Sequence, residues 1–211
     1  TDGELYRTIT SGVDRNNEPL FPVMPYHNYG KMADEDIYSI IAYIRSLPAK
    51  ESSIPEREVD MPFPLIMRLM PKKGTPSVMP EPTDTKAYGA YMVNASGCRE
   101  CHTQVKDGQV IPELEFGGGR TFDMPGGVLT TPNITPHATG LGYWSQEQFV
   151  AKFKSYRDSV YQSPKIDFMN EYNTIMPWVM YSTMTDRDLA AIYEYLKTVK
   201  PIENQVTKWK P

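Results

Sequence analysis

GCRECHT, residues Gly97–Thr103, decides how this chain is read. It holds both cysteines of the 211-residue sequence, Cys98 and Cys101, and one of its three histidines, His102. Three chemistries compete for that pattern. A structural zinc site needs about four ligands, and the sequence has no second cysteine pair. A thioredoxin-like redox pair belongs in a βαβ context, whereas proline- and glycine-rich chain follows here. The third reading is covalent attachment of haem c, whose signature is C-x-x-C-H. Two thiols at this spacing add across the two vinyl groups on one edge of a porphyrin, and the adjacent histidine is thereby held beneath the iron.

Outward from the motif, Lys86–Val93 reads as a short helix carrying Gly89 and Ala90, small residues that let another helix approach closely. Residues 108–142, rich in Gly, Pro and Thr, read as one long ordered loop, and long loops in compact domains are commonly functional. Asn133-Ile134-Thr135 matches a glycosylation sequon and is taken as coincidence. Ser145 with Gln148 three residues on forms a capping box, and Phe149 and Phe153 share the face of the helix that follows. Thr185 is a natural N-cap with Asp186 and Asp188 in the first turn, where the helix dipole favours acids. Leu189, Ile192, Tyr193 and Leu196 form its core-facing stripe. Pro201 stops it.

The start of the chain repeats this phrase. MPYHNYGKMADED (Met24–Asp36) matches MPWVMYSTMTDRD (Met176–Asp188), and Thr1 with Glu4 makes another capping box. Ile37, Ile40, Ile41 and Ile44 recur at the spacing of the later stripe. Residues 1–48 therefore repeat 145–201, with about eight residues fewer before the methionine. Residues 85–211 form one complete domain on this reading, and 1–48 the C-terminal half of a second whose haem-attachment half would lie before Thr1. The chain is thus expected to be a processed or cut-down product. Residues 49–84, with seven prolines, are read as a linker with few regular signals. Their apolar middle, MPFPLIMRLM (Met61–Met70), is too short to span a bilayer and is expected to pack between domains.

Composition narrows the function. A formal charge of −4 argues against a nucleic-acid partner, because phosphate binding needs a basic face. No apolar run approaches the ~20 residues of a membrane span. Nineteen prolines imply much extended chain between helices. Most of the twelve methionines serve as core filler, yet methionine is also a soft metal ligand.

GAYMVNASGCRECHT, TTPNITPHATGLGYWSQEQF and MPW..Y..MTDRDLAAIYEYL resemble the c-type cytochrome subunits of bacterial membrane-bound alcohol, aldehyde and gluconate dehydrogenases. TDGELYRTI, the VMPY stretch and MADEDIYSIIAYIRSLP resemble the closing half of another such domain. The family's acid after NITP is His137 here, a departure placed on the surface. The resemblance implies an all-α, cytochrome c-like domain with long ordered loops, preceded by the closing half of a second. It also implies periplasmic or exported location, with membrane association through a missing segment or a partner.

Residue by residue, the resemblance gives Cys98 and Cys101 as thioether anchors, His102 as proximal ligand and Met176 as distal ligand. Pro177 favours Met176 over Met169, Met180 and Met184, because the residue before a proline is pushed to extended backbone. His27 and His137 stand as alternative imidazole ligands. Trp144, Trp178 and Tyr181 are candidates to line the pocket, Arg120 to pair with a propionate, and the Pro112 carbonyl to accept from His102. Met24 is the candidate axial ligand of a first haem anchored outside the chain, so one covalent haem is expected here and a second in the intact protein. With both axial positions filled, the iron shuttles electrons between redox proteins, from a dehydrogenase to a later acceptor, and is not an enzyme. The alternative is a haem enzyme or ligand sensor with a displaceable sixth ligand.

Overall fold

In the computed structural model, which describes all residues except 22, 23, 54, 56, 57, 107, 158, 160 and 168, the chain forms two compact units, Thr1–Met79 and Pro80–Pro211. Val23 of the VMPY phrase thus lies outside the described residues.

Unit 1 begins with α1 (Asp2–Ser11), whose N-terminus is closed by the Thr1/Glu4 capping box and whose end is turned by Gly12 at φ 69°. Next come α2 (Tyr26–Tyr29), α3 (Asp34–Ser46) and α4 (Phe63–Met67). Ile9, Tyr26, Met32, Ile37, Ile41 and Met67 are buried. The stretch read as irregular linker therefore contains a helical turn. Its Phe63 ring lies 5.6 Å from Phe21, and Arg68 pairs with Glu18 at 3.3 Å.

Unit 2 runs α5 (Thr85–Ala95), α6 (Cys98–His102), β1 (Val105–Lys106), β2 (Gln109–Val110), a 3-10 turn at Pro112–Leu114, β3 (Thr121–Met124), β4 (Gly127–Thr130), α7 (Gln146–Lys154), α8 (Trp178–Tyr181), α9 (Asp186–Leu196) and β5 (Trp209–Lys210). Its core joins Val93, Phe116, Leu141, Phe149, Ile192, Tyr193 and Leu196. Helices α5 and α9 cross at Gly89, where an added Cβ would stand 2.0 Å from the carbonyl oxygen of Ala191. The Tyr88 hydroxyl donates to Asp188 across the same crossing at 2.8 Å.

The all-α expectation is corrected. β3 and β4 pair as an antiparallel hairpin from Thr121↔Thr130 to Met124↔Gly127, and β5 adds to β4 through Leu129↔Trp209. Residues 121–124 alternate exposed and half-buried, the period-two signature of a strand. Glycine and proline around this short run masked it within a stretch read as loop.

The internal repeat is visible in the backbone. α1, α2 and α3 follow one another as α7, α8 and α9 do, with Pro25 at φ −80°, ψ 52° and Pro177 at φ −79°, ψ 61°. In each copy the residue after that proline donates its N–H to the carbonyl of the methionine before it: Tyr26 to Met24 and Trp178 to Met176, both at 2.8 Å. The copies part on the long helices. Ile192 and Leu196 are buried, whereas their counterparts Ile40 and Ile44 are half-buried and exposed.

Candidate cofactor site

The attachment segment starts with a reversal. Gly97, at φ 64° and ψ 28°, sits in the left-handed region that glycine enters without steric cost. It turns the chain from α5 into the single turn of α6. Cys98 and Cys101, three residues apart on that turn, share one face of it, and both thiols are unpaired. Burial pushes the Cys98 thiol up to about 12, with the Glu100 carboxylate and Cys101 adding to it. Burial raises the Cys101 thiol as well, while the Arg120 guanidinium works against it.

His102 is buried, and that burial lowers its proton affinity against the opposing pull of a backbone carbonyl. The carbonyl belongs to Pro132, 2.8 Å from Nδ1. Since a carbonyl only accepts, Nδ1 carries the proton and Nε2 keeps the lone pair. Metal-ligating histidines are held in this way, with the second nitrogen engaged by an outer acceptor that fixes tautomer and ring orientation. Pro132 replaces Pro112 in this role. Pro112 opens the 3-10 turn, and its own carbonyl accepts from the Glu115 N–H at 3.2 Å. The loop at Pro132 approaches because Gly118, at φ 70°, has no side chain: a Cβ there would lie 2.4 Å from the Pro132 carbonyl carbon. Gly118 also donates its N–H to the His102 carbonyl at 2.8 Å.

Two of the other candidates are tied to the attachment segment. Arg120 donates through Nη1 to the Glu100 carbonyl, with its guanidinium 5.1 Å from the Phe122 ring centroid. The Tyr181 hydroxyl donates to the Ser96 carbonyl at 2.6 Å. The rest are held by other partners. Met176 is half-buried, and its N–H donates to the Thr174 hydroxyl at 3.1 Å. Trp178 stacks on Tyr156 at 4.8 Å and 12° and meets Phe153 at 5.2 Å, with the Lys152 ammonium 5.3 Å from its ring. Trp144 is at the surface, its carbonyl accepting from Tyr193 at 2.6 Å. Met24 occupies the matching position before Pro25 in unit 1.

Sequence reasoning missed Pro132, Gly118 and Asn133. Asn133 is no surface sequon: it is buried, and its amide is fully engaged inside the protein. The TTPNITP phrase was the available signal, since an asparagine flanked by prolines and threonines is suited to locking a loop. His137 is half-buried, and its Nδ1 accepts from the Thr139 N–H at 3.2 Å.

Two unpaired thiols and a neutral imidazole with a free Nε2 lone pair, all on one turn, fit covalent haem. Comparison with known proteins agrees. The sequence is 29% identical to the cytochrome c subunit of a quinone alcohol dehydrogenase from Gluconacetobacter polyoxogenes, over 96% of this chain and 45% of that protein. It is 32% identical to the cytochrome subunit of fructose dehydrogenase from Gluconobacter japonicus, over 65% of this chain and 26% of that one. It is 26% identical to a diheme cytochrome c-type protein of Cereibacter sphaeroides, over 96% of this chain and 67% of that one. The chain thus spans less than half the length of the first two relatives. The protein family described as cytochrome c matches residues 86–200, which take in the thiols, the imidazole and the loop that orients it. More than half of the sequence lies within that match, and the chain belongs to the cytochrome c family.

Proposed function

We propose that this chain is a one-electron carrier in which Cys98 and Cys101 hold haem c covalently and His102 and Met176 ligate its iron. The observation that carries the reading is the His102 ring, buried, on the same helical turn as both thiols, and turned by Pro132 so that Nε2 remains the donor. Bound there, haem c supplies a reversible Fe(III)/Fe(II) couple. The thioether of Met176, a soft neutral donor, favours Fe(II) and raises the potential. With His102 and Met176 both holding the iron, no coordination position would be left for a substrate. Arg120, whose Nη1 donates to the Glu100 carbonyl, would supply the cation that a propionate requires, and Trp178, Tyr181 and Trp144 would be the aromatic lining of the haem.

The electron donor is a dehydrogenase, in keeping with the names of the dehydrogenase cytochrome subunits that the chain resembles; the acceptor is a later redox protein, and the exchange takes place outside the cytoplasm. Among the described residues no helix is long and apolar enough to cross a membrane.

Residues 1–48 are the closing half of a second cytochrome c domain, with 49–84 joining it to the complete domain at 85–211. Met24 would ligate the iron of that domain's haem, for which residues 1–48 hold no cysteine anchor. The matching backbone at Met24–Pro25 and Met176–Pro177 supports this.

The test is to count haems per chain by mass after expression with cytochrome c maturation, and to record visible spectra. One thioether-linked haem with a methionine–Fe(III) charge-transfer band is expected. A single haem that lacks this band and binds cyanide readily would overturn the carrier assignment in favour of a haem enzyme or sensor.

A further inference from the structure

The carbonyl that orients His102 is the end point of a saturated polar network. Asn133, next in sequence to Pro132, is 4% exposed. Its Nδ2 donates to the Thr139 hydroxyl at 2.9 Å and to the Ile202 carbonyl at 2.7 Å. Its Oδ1 accepts from the Thr135 N–H at 2.9 Å and the Thr135 hydroxyl at 2.8 Å. Two donors and two acceptor sites are all that an amide has, so every one is filled.

The partners are filled in turn. The Thr135 hydroxyl accepts from the Ile202 N–H at 3.1 Å. The Thr139 hydroxyl accepts from the Asn204 N–H at 3.1 Å and lies 3.0 Å from His137 Nδ1. The Asn204 amide donates to the Gly117 carbonyl at 2.9 Å. The backbone adds Gly119 N–H to the Thr131 carbonyl at 2.8 Å and Ile134 N–H to the Phe116 carbonyl at 2.9 Å. The peptide bearing the Pro132 carbonyl is therefore gripped on both sides, through Asn133 to residues 202–204 and through Thr131 to the glycine run.

We propose that Asn133 is a positioning residue for the proximal ligand, pinning the Pro132 carbonyl against His102 Nδ1 and thereby setting the electron donation of the imidazole. This rests on the reading of His102 as the iron ligand. A firm Nδ1–H···O=C bond makes the ring a stronger donor, which stabilises Fe(III). Loosening the carbonyl weakens that donation and favours Fe(II). The C-terminal segment 202–204 acts through the same amide.

The experiment compares the holoprotein with Asn133→Leu, a neutral replacement of similar size that removes both amide donors and both acceptor sites, and with Thr139→Val, which removes the hydroxyl that accepts from Asn133 Nδ2 and the Asn204 N–H. Haem content, midpoint potential and exchange of the His102 Nδ1 proton by NMR are measured on each. Asn133→Leu should retain covalent haem, raise the ratio of reduced to oxidised protein severalfold at the wild-type midpoint, and speed proton exchange at least tenfold. Thr139→Val should move both readings in the same direction by less. Unchanged potential and exchange in the folded variants, with only a lower melting temperature, would overturn the proposal and leave Asn133 a packing residue. If Asn133→Leu fails to fold, Thr139→Val decides alone by the same two readings. Absence of haem from the wild-type protein would instead remove the ligand assignment itself.

Discussion

Met176 is the residue on which the carrier reading turns. If Met176 ligates the iron as proposed, replacing it with alanine should abolish the charge-transfer band, let cyanide and carbon monoxide bind, and lower the midpoint potential with loss of the soft donor. Equal cyanide binding by wild type and Met176→Ala would remove Met176 from the iron. A second residue gives a pH signature in unit 1. The Tyr6 hydroxyl donates to Asp34 at 2.5 Å, and that hydrogen bond, followed by burial, raises its pKa to about 12. An unfolded tyrosine ionises near ~10, so the folded state holds this proton more tightly. The resulting stability is complete below about pH 10 and is lost as pH rises toward 12. Tyr6→Phe should melt lower than wild type at pH 8 and lose this part of the alkaline decline. Parallel melting curves from pH 8 to 12 would show that the contact contributes nothing.

The helices were the most legible elements, because their ends are written in side chains. The capping boxes read at Thr1 and Ser145 form, and Thr185 accepts from the Asp188 N–H as its N-cap position implies. Thr185→Ala should cost about 1 kcal/mol, measured by chemical denaturation. The small residue at position 89 also announced a close crossing. Gly89→Ala would drive a methyl into the Ala191 carbonyl and should cost about 1–3 kcal/mol, the usual range for overpacking. A neutral outcome in the same denaturation assay would mean that α5 shifts freely on α9.

The β3–β4 hairpin was not legible, since four-residue strands bounded by glycine carry little pattern and their third strand comes from residues 209–210, far along the chain. Of the candidate site, the thiols and imidazole are set by local spacing and could be read directly. The Pro132 contact could not. It depends on where a loop thirty residues later folds back, and a backbone carbonyl leaves no mark in the side-chain alphabet.

At the scale of the whole molecule, the two copies of the repeat have unequal surroundings. Leu196 is 2% exposed on α9, while its counterpart Ile44 is 41% exposed on α3, beside exposed Tyr43 and Leu47. The same truncation should therefore have unequal effects: about 2–5 kcal/mol for Leu196→Ala and within about 0.5 kcal/mol for Ile44→Ala, as at ordinary surface positions. Equal losses in denaturation would show that α3 is covered.

The grip of residues 202–204 on Asn133 has a temporal consequence. The Pro132 loop is held by residues far along the chain, so the surroundings of residues 98–102 are complete only once that segment has docked. Attachment of a porphyrin at the two thiols would therefore be easiest before Ile202 and Asn204 close on the loop, and the order of ligation and folding is set by that docking.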